Sequence, residues 1–163
     1  MDRAGLAGRG RSGAAVNPAR ETGGRWVLAW LMGLPAAVAF LLAGSLKVWD
    51  PLAFAGQLFA YRLLPPAAVA PVALALPWIE VLAALALLAV PRWRRAGALL
   101  IAGMLLAFIA AEISVMARGL AIPCGCFGML WGETRVGIPT SARNVALLAS
   151  AALAGWFGVP RQA

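Results

Sequence analysis

The stretch WVLAWLMGLPAAVAFLLAGSLKV, Trp26–Val48, decides the fold class. It carries a single charge, Lys47, close to its end, and is otherwise apolar enough that no face of a helix would suit water. At about 1.5 Å per residue, a helix of this length crosses a hydrocarbon core of about 30 Å. The rest of the chain agrees. It is 63% hydrophobic and 12% charged, with a mean hydropathy of +0.85, whereas an average soluble domain has about 25% charged residues. A water-soluble domain of 163 residues leaves too much surface exposed to hide that apolar content. The sequence is that of a membrane protein.

Three further apolar runs follow, at about 66–90, 96–117 and 142–159. Together the four runs predict an all-α fold, an integral membrane four-helix bundle over 26–159, joined by loops at 49–65 and 118–141. Residues 1–25, rich in Gly, Ala and Arg, read as a disordered basic tail. Pro35, Pro71 and Pro77 fall inside the runs, which membrane helices tolerate. Gly33, Gly44, Gly97, Gly103 and Gly155 suit close helix packing. Ala37-Val38-Ala39 resembles a signal-peptide cleavage site, but the run continues apolar to Val48, so the helix is read as uncleaved.

The basic residues set an orientation. Arg3, Arg9, Arg11, Arg20, Arg25, Arg92, Arg94, Arg95 and Arg161 flank one side, while Lys47, Arg62, Arg118, Arg135 and Arg143 flank the other over longer loops. The excess of positive charge marks the cytoplasmic side. Both termini are then expected inside, with 49–65 and 118–141 outside. The net charge of +8 belongs to these flanks and forms no aromatic-interleaved groove, which argues against a nucleic-acid partner.

The outer loop carries IPCGCFG, Ile122–Gly128, with both cysteines of a chain that has no His. A Cys124–Cys126 disulfide would close a three-residue loop, and loop entropy gives such a bridge only about 1.6 kcal/mol before strain. Cα atoms must lie about 4.4–6.8 Å apart, and Gly125 permits the turn this needs. A short, strained, exposed disulfide makes a poor staple and a labile, exchangeable bond. Outside the cytoplasm no glutathione pool keeps thiols reduced. The pattern points to thiol–disulfide exchange, one thiolate attacking a partner's disulfide and the second resolving the adduct. Arg118 and Arg135 would favour a thiolate and Glu133 would oppose it. Two other readings stay open: an inert structural turn in a non-catalytic scaffold, and a copper(I) site recruiting Met116 or Met129. Two thiolates without imidazole are too few for a closed zinc site.

Charges inside the apolar runs form a second group. Glu80 sits mid-run in PWIEVLAAL, Glu112 nears the outer end of its run, and Lys47 closes the first. An intramembrane carboxylate needs a partner or a polar cavity. Either glutamate is within reach of Lys47, which could instead snorkel to the interface. Packing ion pairs are one reading; a proton or quinone site serving the cysteine loop is the other. For a quinone, Trp49, Trp78 and Tyr61 are candidates by composition.

The segments LLAGSLKVWDPLAFAGQLFAYRLLP, LPWIEVLAALALL, CGCFG and TSARNVALL, in this order, resemble the methylamine-utilisation protein MauE family, one of the DoxX-like four-helix membrane proteins. The resemblance covers roughly 41–148. It implies a multi-pass protein of the bacterial plasma membrane, in extracytoplasmic redox chemistry beside a thioredoxin-fold partner. In the methylamine systems such proteins serve maturation of the disulfide-rich small subunit of methylamine dehydrogenase. The family's signature positions fall on Lys47, Asp50, Phe54, Tyr61, Pro65, Glu80, Cys124, Cys126, Phe127, Gly128, Arg143 and Asn144.

Overall fold

The computed structural model describes residues 18–122 and 135–157. They form five α-helices, α1 (Pro18–Trp49), α2 (Pro51–Tyr61), α3 (Pro66–Ala89), α4 (Arg94–Ala117) and α5 (Ile138–Phe157), with one 3-10 turn at Pro91–Trp93 between α3 and α4. Among the described residues there is no β-strand. Among the described residues three segments are long and apolar enough to cross a membrane: Trp26–Trp49, Pro66–Ala89 and Pro91–Ala117. The sequence reading expected four. The first two turns of α5 carry Thr140, Ser141, Arg143 and Asn144, and these polar residues keep it out of that group.

The long helices pack as neighbours, α1 against α3 and α5, and α4 against α3 and α5. Alanine dominates the shared core, with Phe40, Leu87, Ile101 and Leu105 filling between Ala36, Ala83, Ala98 and Ala154. Two glycines set the closest approaches. A Cβ on Gly97 would lie 2.7 Å from both Ala83 O and Leu87 N, so α3 and α4 touch backbone to backbone there. A Cβ on Gly44 would lie 2.9 Å from Pro77 O, and this holds α1 on α3 one turn from Lys47. Gly103, expected to serve the same purpose, has nothing within 4 Å and plays no part in packing.

Three boundaries differ from the sequence reading. Helix α1 begins at Pro18, so residues 18–25, read as tail, are helical. The expected loop 49–65 contains α2. Pro51 opens it at a position where a missing N–H costs nothing, the Asp50 carboxylate accepts the Ala53 N–H at 2.9 Å, and Arg62 ends it in the left-handed region at φ 52°. Eleven residues are too few to cross a bilayer. Helix α5 begins at Ile138, four residues before the expected start. A turn precedes it in which the Gly137 N–H donates to Thr140 Oγ1 (3.0 Å) and the Thr140 hydroxyl donates back to Gly137 O (2.7 Å).

The polarity of the packed helices is inverted. Leu74, Leu82, Leu99 and Leu106 face outward, while Glu80, Glu112 and Asn144 are buried at 1%, 1% and 2% exposure. Water would reverse this arrangement; hydrocarbon selects it, because an intramembrane charge must face the interior of the bundle. The protein is a membrane protein.

Candidate functional site at the polar end of the bundle

Pairwise contacts place the C-termini of α1 and α4 and the N-termini of α3 and α5 at one end. Gly33 meets Leu87 and Ala154, whereas Lys47 meets Glu80 and Glu112 meets Ser141. Nearly all the buried charge lies at this second end. Lys47, 6% exposed, donates to Glu80 Oε1 at 2.5 Å. It turns inward and does not snorkel. Its ammonium also lies over two aromatic rings, 4.8 Å from the centroid of Phe54 on α2 and 5.4 Å from that of Phe108 on α4. These contacts are favourable where water is excluded. Of the two glutamates within sequence reach, Glu80 is its partner, since the close approach at Gly44 brings α3 to the lysine stem.

Glu112 belongs to a neighbouring cluster. Its Oε2 accepts the Ser141 hydroxyl at 2.8 Å and its Oε1 accepts the Asn144 amide at 2.9 Å. Arg143 Nη2 lies 3.5 Å from Asn144 Oδ1. Sequence reasoning named Asn144 through family resemblance alone, and Arg143 through that resemblance and as a flanking charge. A helical i, i+3 spacing from Ser141 to Asn144 puts both donors on one face and was the available signal. A cavity of about 20 Å³, lined by Lys47, Glu80, Asn144, Arg143 and Phe108 among others, separates the two clusters. The second carboxylate oxygen of Glu80, Oε2, is buried without a hydrogen-bond donor. The cavity is about the size of one water molecule.

A larger cleft opens beside these groups, between α2 and α4. Its volume is about 240 Å³, and Lys47, Phe54, Gln57, Tyr61, Phe108 and Glu112 line it. Helix α2, absent from the sequence reading, supplies Phe54, Gln57, Leu58 and Tyr61 to that wall. Tyr61 is the one compositional candidate that lines the cleft. Trp49 and Trp78, at 86% and 58% exposure, face outward and take no part in it.

The same end anchors the cysteine segment. Arg118 at the end of α4 donates through Nη2 to Tyr61 O (2.7 Å) and through Nε to Ser114 O (3.0 Å), tying α4 to α2. The Val136 N–H donates to Ile122 O at 3.0 Å, so the chain leaving α4 and the approach to α5 meet there. Cys124, Gly125, Cys126, Phe127 and Gly128 lie between these two anchors and outside the described residues.

At the opposite end Arg94 is buried, donates through Nε to Leu87 O at 3.1 Å and lies 5.5 Å from the Trp26 ring centroid. Its place there was not foreseen; the sequence reading counted it as a flanking charge.

The family model described as methylamine utilisation protein MauE matches residues 25–157. Methylamine utilization protein MauE of Methylophilus methylotrophus is 36% identical over 113 residues, which is 68% of this chain and 59% of that protein. The chain thus spans less than two thirds of the length of that relative. No solved structure matches.

Proposed function

This chain belongs to the methylamine utilisation protein MauE family, and on that premise we propose that it is a redox-associated protein of the bacterial plasma membrane. Cys124 and Cys126 exchange disulfides with a thioredoxin-fold partner outside the cytoplasm, in the maturation of exported proteins. Both termini lie inside, α5 completes a fourth crossing, and the polar end of the bundle faces outward. The observation that carries the reading is convergence: the chain on either side of the Cys-Gly-Cys sequence is anchored by Val136 and Ile122 at the end of the bundle that holds Lys47, Glu80, Glu112 and Asn144. In the exchange step a thiolate forms an S–S bond with one sulfur of the partner's disulfide and the other sulfur leaves as a thiolate. The second cysteine then displaces the partner, which departs with both of its sulfurs reduced.

Trapping tests it. In cells expressing Cys126→Ser, a reductant-sensitive adduct of the chain with a thioredoxin-fold protein is expected, identified by mass spectrometry. If neither Cys126→Ser nor Cys124→Ser forms an adduct and both variants sustain maturation of exported proteins, the exchange reading is wrong and a scaffold remains.

A further inference from the structure

We propose that the cleft between α2 and α4 binds the headgroup of a membrane quinone, held by Lys47 and by the rings of Phe54 and Phe108.

Four observations lead there. The cleft, about 240 Å³, is bounded on one side by α4, one of the helices fit to cross a bilayer, so its ligand would come from an apolar phase. Lys47 lines it while spending one N–H on Glu80; an ammonium has three donors, so acceptors in the cleft can take another. A hydrocarbon chain alone would leave that donor unmatched, which argues against a lipid tail as the occupant. The charges that themselves line the cleft and the neighbouring cavity also disfavour an anion. Lys47 and Arg143 are formally balanced by Glu80 and Glu112 at this level, and a carboxylate or phosphate headgroup would add an uncompensated negative charge in a low dielectric. What fits is a neutral molecule carrying a strong acceptor. The third requirement is shape: Phe54 and Phe108 both lie against the Lys47 ammonium and both line the cleft, so a flat ring can stack on them while its carbonyl meets Nζ. A neutral, planar, lipid-soluble dicarbonyl is a quinone.

The site stands on this geometry; its use as an electron acceptor rests on the exchange reading above. In that use exchange runs in the reverse direction, the partner's dithiol passing its electrons to the Cys124–Cys126 disulfide, and the thiols so formed then lose two electrons and two protons as their S–S bond re-forms. The quinone gains the same two electrons and two protons and becomes a quinol. This supplies the half-reaction that a single pair of thiols lacks.

The experiment is binding of ubiquinone-1 and menadione to the purified full chain in nanodiscs, followed by calorimetry. One quinone per chain is expected. Lys47→Met should weaken it about ten-fold or more, the loss of one charge-assisted hydrogen bond. Ala111→Phe and Ala107→Phe, which place a ring in the cleft from its α4 wall, should abolish it while thermal unfolding stays near that of the parent chain. Undiminished binding in both folded alanine variants, or displacement of the quinone by decanoate or a short-chain diacylglycerol at equal concentration, overturns the proposal. The Cys124→Ser/Cys126→Ser chain separates the two readings: it should bind quinone like the parent. Quinone binding in a chain that forms no partner adduct keeps this site and ends the exchange reading; an adduct without quinone binding does the reverse.

Discussion

Lys47 on α1 and Glu80 on α3 form a buried ion pair, Nζ to Oε1 at 2.5 Å, and the lysine side chain reaches back into the bundle to make it. Breaking such a pair by removing one partner strands a charge and costs about 3–5 kcal/mol. Glu80→Leu is therefore expected to destabilise the protein by about that amount, measured by denaturant unfolding in detergent. Lys47→Met/Glu80→Leu should recover most of the loss, because no charge is left without a partner. A double variant as unstable as Glu80→Leu alone would show that the pair itself is not the source.

Gly97→Ala and Gly103→Ala should differ in sign. The first sets a Cβ against Ala83 O and Leu87 N at 2.7 Å and forces α3 and α4 apart, a cost of about 1–3 kcal/mol. The second meets open space and should gain about 0.5–1 kcal/mol from the better helix former. Paired thermal melts read both.

Asn144→Leu removes the amide that donates to Glu112 Oε1 inside the bundle. A buried acceptor left without its donor costs about 1–3 kcal/mol, so a lower unfolding midpoint is expected. Asn144→Asp should be worse, since it sets a second carboxylate beside the first.

The apolar runs were legible because hydrocarbon imposes a simple rule: about 20 apolar residues in a row cross it. That rule gave an all-helical membrane protein and the segments that became α1, α3 and α4. It missed α2, whose existence depends on local chemistry, the Asp50 cap and Pro51, and not on length. The buried charges were legible as a problem, because Glu80 in an apolar run demands a partner, but the choice of Lys47 over other solutions required the α1–α3 approach at Gly44. Trp49 and Trp78 misled for a related reason. Composition marks aromatic residues as ligand candidates, yet only helix rotation determines whether they face a cleft or the outside, and these two face out.

Asp50→Ala should cost about 0.5–2 kcal/mol through loss of the α2 cap, and the effect should be local. Hydrogen exchange is expected to quicken over Pro51–Tyr61 while α3 and α4 keep their protection. Asp50→Ser, which can still accept the Ala53 N–H, should restore most of it.

Topology has its own test. After mild reduction, a membrane-impermeant maleimide added to intact cells should label Cys124 and Cys126, and should fail to label a thiol introduced by Gly24→Cys in the cysteine-free chain until the cells are broken. The opposite pattern would put the polar end of the bundle on the cytoplasmic side.

The hydrogen bond from Val136 to Ile122 joins the chain on either side of residues 123–134. That bond fixes the separation a connecting segment has to span, whatever its length. Lengthening a loop to twice its size adds only about 0.6 kcal/mol of closure entropy. Residues added between Ile122 and Val136 should therefore cost little in closure, while Lys47 with Glu80 and Glu112 with Asn144 stay paired within the helices.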